Sequence, residues 1–364
     1  KQTTGDVRIE FYAAIKAAEP FLPAGTVIAR EQTYVHTFYK KEATAQQPAT
    51  SKEEGNLVAF SGPDFKATFD KQSGLLTSYL YKKHEYILNG QGPRPFFWRA
   101  PTDNDYGANL PVRLKAWKEA SYQEPKAESF QVTPGSNATT IKVTYRFPQT
   151  DARWDITYKI YASGVIKVDN RFVAEGDQAP MIPRVGLRMQ LPESFTDLTY
   201  YGRGPKENYR DRRTSQFIGE YAIPVKDMYE PYVRPQENNH RTDIYWCALT
   251  DKTQRGLLLI ADRTFELNAS NYPLESMDSG DTIDNGAPRT EKTHHRHLTD
   301  PLPEKMVDLF IDYRMMGVGG DDSWGATAHE PYLIRPGKEN AIEYGFSLVP
   351  FDKKEDYKYL IRQY

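Results

Sequence analysis

The chain has a single cysteine, Cys247, so no disulfide can close within it and cysteine usage leaves the compartment undecided. No stretch approaches the ~18 consecutive apolar residues that a membrane-crossing helix requires. An excess of one charge is also missing. Lys and Arg number 47 and Asp and Glu 49, giving a net charge of −2. No basic field is therefore available to make nucleic acid or an acidic lipid surface the main partner. Strong helical periodicity is scarce. The best helix starts from Asn109 as N-cap with Pro111 in its first turn, and Leu114 and Trp117 share a face. Residues 111–121 are thus expected to make about three turns. An initiator methionine is absent as well: the chain opens at Lys1 and reads as processed or cut from something longer.

What the sequence does have is aromatic material and alternation. Aromatics make up 13% of 364 residues and Tyr alone occurs 25 times, enough to fill a large core. Phe65, Ala67 and Phe69 alternate with polar residues, Lys71-Gln72-Ser73-Gly74 reads as a turn, and Leu75 to Tyr81 returns. Trp154, Ile156, Tyr158 and Ile160 form one face of a strand, and Ser163-Gly164 turns into Val165 to Phe172. Val185 to Leu191, Val307 to Tyr313 and Ile342 to Leu348 repeat the pattern. Arg255 to Ile260 is a continuous apolar run, expected to be a strand buried on both faces. The fold class is all-β and antiparallel, with one face of each sheet turned to the core.

One boundary is visible. Residues 7–16 and 26–39 read as two strands joined by a turn, too few to bury a core alone. Residues 40–55 are polar and aperiodic, with the composition of a linker. Residues 1–39 are therefore expected to be the tail of a domain that begins upstream, and residues 56–364 one large β domain of two broad packed sheets.

Chemistry concentrates in a few strings. Gly317-Val318-Gly319-Gly320-Asp321-Asp322-Ser323-Trp324 follows a half-buried strand, so it should be a rim loop. An indole carried on such a loop suits the apolar face of a sugar ring, although a lone Trp after a strand more often folds back on the core. Arg99-Ala100-Pro101-Thr102-Asp103-Asn104-Asp105-Tyr106-Gly107 sets a dense polar turn beside Phe96, Phe97 and Trp98. Its Asp-x-Asp-x-Gly spacing resembles a calcium loop, but the twelfth position holds Leu114 where an EF-hand needs a carboxylate. A structural turn and a site lining both fit it. Residues 202–209 and 228–241 are loops rich in Tyr, Glu, Asn and Arg, suited to a polyhydroxylated ligand or to a protein interface. The first lacks the Lys-Ser/Thr of a phosphate loop. His294-His295-Arg296-His297 lacks the fixed Cys/His spacing of a zinc site and reads as a polar loop. No nucleophile–base pair can be picked out along the sequence.

Taken together, residues 99–105, Gly204-Pro205-Lys206-Glu207-Asn208-Tyr209, Asp227-Met228-Tyr229 with Pro231-Tyr232-Val233, His295-Arg296-His297-Leu298 and residues 317–324 resemble the C-terminal part of the large β-galactosidases of glycoside hydrolase family 2. Their order and rough spacing match from about residue 56 nearly to the end. The resemblance implies an antiparallel super-sandwich related to galactose mutarotases, with residues 1–39 as closing strands of an immunoglobulin-like domain. It also implies a retaining glycosidase whose nucleophile and acid/base glutamates, ~5 Å apart, lie on a separate (β/α)₈ barrel. Nothing here reads as that barrel, so no catalytic residue is expected in this chain and the fragment alone should be inactive. Trp324 is implied to be a substrate contact, on the aglycone side especially. Arg99, Asp103, Asn104, Asp105, Gly107, Asp321, Asp322 and Ser323 are the implied pocket lining. Gly107 would begin a mobile loop beside the active site, although Leu110 to Lys118 follows the family only loosely. Mg²⁺ and Na⁺ of the full enzyme would be held by other domains, with no metal or cofactor bound here. The expected partners are the β-galactoside, the remaining domains and further copies of the enzyme. Two rival readings are a free-standing aldose mutarotase or sugar-binding module and a purely structural assembly domain.

Overall fold

Alternation sets the layers. In the computed structural model, which describes residues 5–38, 46–174, 181–279, 297–322, 324–339, 341–353 and 355–363, the chain divides into two compact units. The first comprises residues 1–44 and 358–364, the second residues 45–357. In the first unit, Gly5–Ala14 (β1) pairs antiparallel with Val27–Phe38 (β2). Ile9, Phe11, Tyr12, Ile28 and Tyr34 remain exposed on this ribbon.

The second unit begins with a five-stranded antiparallel sheet of Thr50–Glu54 (β3), Leu57–Ser61 (β4), Phe65–Asp70 (β5), Leu76–Tyr81 (β6) and His84–Glu85 (β7). Residues 50–54, expected to be linker, are thus its edge strand. All five of their side chains are exposed, so the strand is held mainly by its backbone pairing and carries no apolar period.

The large sheet holds the remaining twelve strands. These are Arg94–Phe96 (β8), Ala127–Thr133 (β9), Thr139–Phe147 (β10), Ala152–Ile160 (β11), Ile166–Ala174 (β12), Arg184–Pro192 (β13), Asp197–Gly204 (β14), Phe217–Pro224 (β15), Arg241–Thr250 (β16), Gly256–Ser270 (β17), Met306–Met315 (β18) and Ile342–Phe351 (β19). They run in the order β15-β14-β16-β17-β19-β12-β11-β10-β9. The sheet branches at β17. Its Gly256–Ala261 half pairs with β19, its Glu266–Ser270 half pairs with β18, and β18 goes on to β13 and β8.

The core lies between the sheets. Phe69 of β5 sets its ring 5.0 Å from that of Tyr158 on β11. Phe97 packs on Trp154 (5.5 Å), Phe172 (5.4 Å) and Phe147 (5.0 Å). Each such buried aromatic contributes on the order of 2 kcal/mol. Trp154, Ile156, Tyr158 and Ile160 all face this core, while Arg153, Asp155 and Thr157 between them face the other way. This arrangement is the expected antiparallel super-sandwich.

The expected helix over 111–121 is two pieces, Leu110–Arg113 (α2) and Lys115–Tyr122 (α3). Asn109 sits in the left-handed region at φ 56° and makes no side-chain cap. Leu114 is buried at the break, and α3 inserts Trp117 against Phe97 and Phe172. Burial of one side chain after another from consecutive turns overrides a continuous helix. Asp103–Gly107 (α1), expected to be a turn, is a short helix closed by a capping box between Thr102 and Asp105.

Candidate functional site

β18 delivers the chain to the rim at Met315, and residues 317–325 form the loop that carries Trp324. The indole is 84% exposed, whereas the other four tryptophans are buried. It therefore does not cap the core. Asp322 shapes the turn, its Oδ1 accepting from Trp324 N (2.8 Å) and Ala326 N (3.1 Å). Those two backbone bonds hold the Asp322 carboxyl below the usual carboxylate range. Gly319, Gly320 and Gly325 take φ of 81°, 135° and 109°, where a side chain would strain the backbone.

Two other segments hold this loop from beneath. The Asp211 carboxylate accepts from Val318 N (3.1 Å) and Gly319 N (2.9 Å). The Asn104 carboxamide, oriented by its hydrogen-bond partners, accepts from Gly320 N (3.1 Å) and donates to Asp322 O (3.2 Å). Gly107 then meets Gly325 backbone to backbone, with no room for a Cβ on either. Asn104, Gly107, Asp322 and Trp324 are thus one assembly. Asp321 lies beside it, hydrogen-bonded to His329, whose pKa that contact raises. Asp103 is exposed and pairs at 3.8 Å with Arg234, itself 4.3 Å above the Tyr106 ring. Ser323 lies outside the described residues.

Arg99 and Asp105, expected to line the pocket, do not. They are 2% and 5% exposed and form a bidentate pair at 2.9 and 2.8 Å. Arg99 also donates to Met316 O (2.7 Å) and Gly317 O (3.2 Å), tying α1 to the base of the Trp324 loop. A buried guanidinium with four of its bonds made inside the protein acts as a strut and is not presented to a ligand at the rim.

The loops of residues 202–209 and 228–241 also turn inward. Glu237 is fully buried between Arg184 Nη2 (2.9 Å), Asn268 Nδ2 (3.2 Å) and Ala100 N (3.2 Å). Asn268 accepts from Asn239 Nδ2 (2.7 Å), and Asn239 N donates to Glu207 (2.7 Å). Glu207 accepts in turn from Arg212 (2.6 Å) and from the Tyr232 hydroxyl. Arg184 Nε also lies 3.2 Å from the Asp312 carboxyl. One buried polar network therefore joins residues 98–105, 204–213, 228–241 and the end of β18, and the Trp324 loop stands on it. Sequence reading missed Arg184 and Asp211, whose partners are distant in the chain, and took Glu237 only as part of a polar loop; it also missed His329, although its partner Asp321 is only 8 positions away. Gly325 could have been found, since it adjoins Trp324 and follows a glycine-rich turn.

Chemically, the rim offers an apolar platform with a carboxylate and an imidazole beside it, which suits stacking and hydrogen bonding to hydroxyl groups. Among the described residues, no group of three or more His, Cys, Asp or Glu side chains is arranged to hold a metal ion. Of residues 294–297, only His297 is described; its backbone N–H donates to Asp300.

Architecture and rim place the molecule in the class of antiparallel β super-sandwich domains. A family model described as the beta galactosidase small chain matches residues 61–348, and the chain belongs to that family. The β-galactosidase of Priestia megaterium (strain DSM 319 / IMG 1521) is 33% identical over 291 residues, 80% of this chain and 26% of that protein. That of Streptococcus thermophilus is 27% identical over 348 residues, 94% of this chain and 32% of that protein. The chain thus spans roughly a quarter to a third of the length of these relatives. Among solved structures, galactose 1-epimerase from Lactobacillus acidophilus NCFM aligns with a TM-score of 0.45 at 6% identity, covering 85% of this chain and 99% of that one.

Proposed function

We propose that this chain is the part of a glycoside hydrolase family 2 β-galactosidase that supplies one wall of the substrate pocket. The bond-cleaving glutamates, and any Mg²⁺ or Na⁺, belong to other domains. In a retaining mechanism the two carboxyls act from opposite sides of the glycosidic bond, one as nucleophile and one as acid/base. The role of this chain is then to position the sugar. Trp324 offers its face to the aglycone, the Asp322 turn fixes the indole's height, and Asn104 and Asp211 keep the loop from swinging away. The single observation carrying the reading is the exposure of Trp324 on a loop braced by two separate segments. A loop with no ligand to meet would be stabilised by burying its indole instead.

Stacking of an indole on a sugar removes apolar area worth about 1–2 kcal/mol, roughly 5- to 30-fold in binding. In the full-length enzyme, Trp324→Ala should raise the lactose KM by about that factor while the chemical step largely survives. The chain on its own should not turn over a chromogenic galactoside. Parental lactose kinetics in Trp324→Ala would remove the indole from the pocket.

A further inference from the structure

The face of the large sheet turned away from the core is concave and forms a cleft of about 1030 Å³. Its floor is rich in polar side chains, from the exposed Gln131 through the half-buried Thr157 to the buried Thr144. Most charges on it are internally matched. Arg153 pairs with Asp155 (2.9 Å), Arg171 with Glu343 (3.2 Å), and Asp262 turns to Lys167 (2.7 Å).

Where β16, β17 and β18 meet, the matching fails. Arg203 and Arg213 share one carboxylate, Asp243, at 2.8 Å each. Arg210 reaches Glu266 at 3.3 Å, a carboxylate that also binds His240 at 2.9 Å. Arg314 lies 4.8 Å above the Tyr313 ring. Neither Arg314 nor the exposed Arg263 has a carboxylate partner among the described residues. Four guanidinium groups of the lining, Arg210, Arg213, Arg263 and Arg314, therefore stand against two carboxylates, Asp243 and Glu266, an excess of two positive charges at one end of a concave surface, and Asp243 is shared with Arg203 besides. Like charges so gathered repel, and a bound anion would relieve them. Guanidinium forks match carboxylate and sulfate groups in particular.

The geometry points to a binding site for an acidic oligosaccharide, one bearing carboxylate or sulfate groups, seated in this cleft. The arginine end takes the anionic group. The hydroxyl and amide side chains of the floor take sugar hydroxyls, and Tyr313 and Tyr344 offer apolar ring faces. The volume suits a ligand of two or three sugar rings, at the upper end of ordinary small-molecule sites, which hold about 300–1,000 Å³. This site does not depend on the role given to Trp324. The turn at residues 210–211 separates the two, with Arg210 reaching Glu266 on the cleft side and Asp211 holding the Trp324 loop.

The test is calorimetric titration of the full chain with a galacturonic acid trisaccharide, a neutral galactose trisaccharide and sodium sulfate. The acidic trisaccharide should bind at least about tenfold more tightly than either of the others. It should also weaken at least about tenfold in the double variant Arg263→Gln/Arg314→Gln, since a hydrogen bond to a charged group is worth that much or more. Binding by Trp324→Ala should equal that of the parent, which separates this site from the rim platform. Absence of binding, equal binding of the neutral sugar, sulfate binding as tightly as the trisaccharide, or an unchanged double variant would each overturn the assignment. Should the double variant fail to give the parental circular dichroism spectrum, the three-probe comparison decides alone.

Discussion

Substitution of Gly107 by Ala tests whether the platform is truly braced. A Cβ at this position would lie 2.7 Å from Gly325 Cα, 2.8 Å from Gly325 N and 2.8 Å from the carbonyl carbon of Trp324. Carbon atoms rest comfortably near 3.5 Å, so the two backbones must separate by roughly 0.7 Å. No side-chain rotation can relieve the clash, because all three obstacles are backbone. Overpacking of this kind costs about 1–3 kcal/mol. The strain should move the exposed loop rather than α1, which is pinned by the Arg99–Asp105 pair and its capping box. Two readouts follow. The lactose KM of the full-length enzyme should rise about fivefold for each kcal/mol of stacking lost. Acrylamide quenching should change too, and it reports mainly on Trp324, because Trp98, Trp117, Trp154 and Trp246 are all at most 7% exposed. Gly325→Ala should be worse, since its Cβ would lie 2.3 Å from Gly107 C and its φ of 109° disfavours any side chain. If Gly107→Ala keeps the parental KM, quenching and denaturant midpoint, the two loops do not touch in solution and the bracing argument fails.

Two further outcomes follow from the buried charges. Arg99→Met strands Asp105 in the interior without its partner, and should lower stability by about 3–5 kcal/mol in urea denaturation. A loss below about 1 kcal/mol would mean that water reaches the pair. Burial pushes the Asp312 carboxyl well above the usual range, against the pull of Arg184. The folded state therefore keeps a proton that the unfolded chain, titrating near ~3.9, has released. The stability tied to that proton is present below this value and declines as pH rises above it. Asp312→Asn should thus flatten the fall in urea midpoint as pH rises above ~3.9, and parallel curves for the two proteins would refute the assignment.

The strands were legible wherever one face is buried and the other wet. Ala152–Ile160 alternates buried and half-buried residues without a break, and its sequence period says so. The apolar run from Gly256 to Ile260 likewise is buried throughout, but β17 continues ten residues further, to Ser270. That continuation was not visible. Asp262 and Arg263 lie on the exposed stretch where the strand changes partners, so the period breaks although the strand does not. β3 was missed for the opposite reason, since an edge strand wet on both faces has no period at all.

The site divides along the same line. Trp324 and its glycines announce themselves because a turn with positive φ is a local requirement, met by neighbours in the chain. Arg99, Glu237 and Arg184 are charged, and a charged residue in a polar string looks like a surface residue. Their burial is decided by partners up to 218 positions away, as with Arg99 and Gly317. Sequence therefore marks the residues that meet the outside and hides those that hold them. The inward turn of Glu237 and Asn239 follows from a cost: a rim loop carrying an indole into solvent gains little burial of its own. Its rigidity must come from hydrogen bonds formed underneath, and buried polar groups are stable only when their partners are complete. The motifs at residues 99–105, 204–209 and 228–241 share one reason for their polarity. They are the footing of a single platform, and only its top, the Trp324 indole, stands out into solvent.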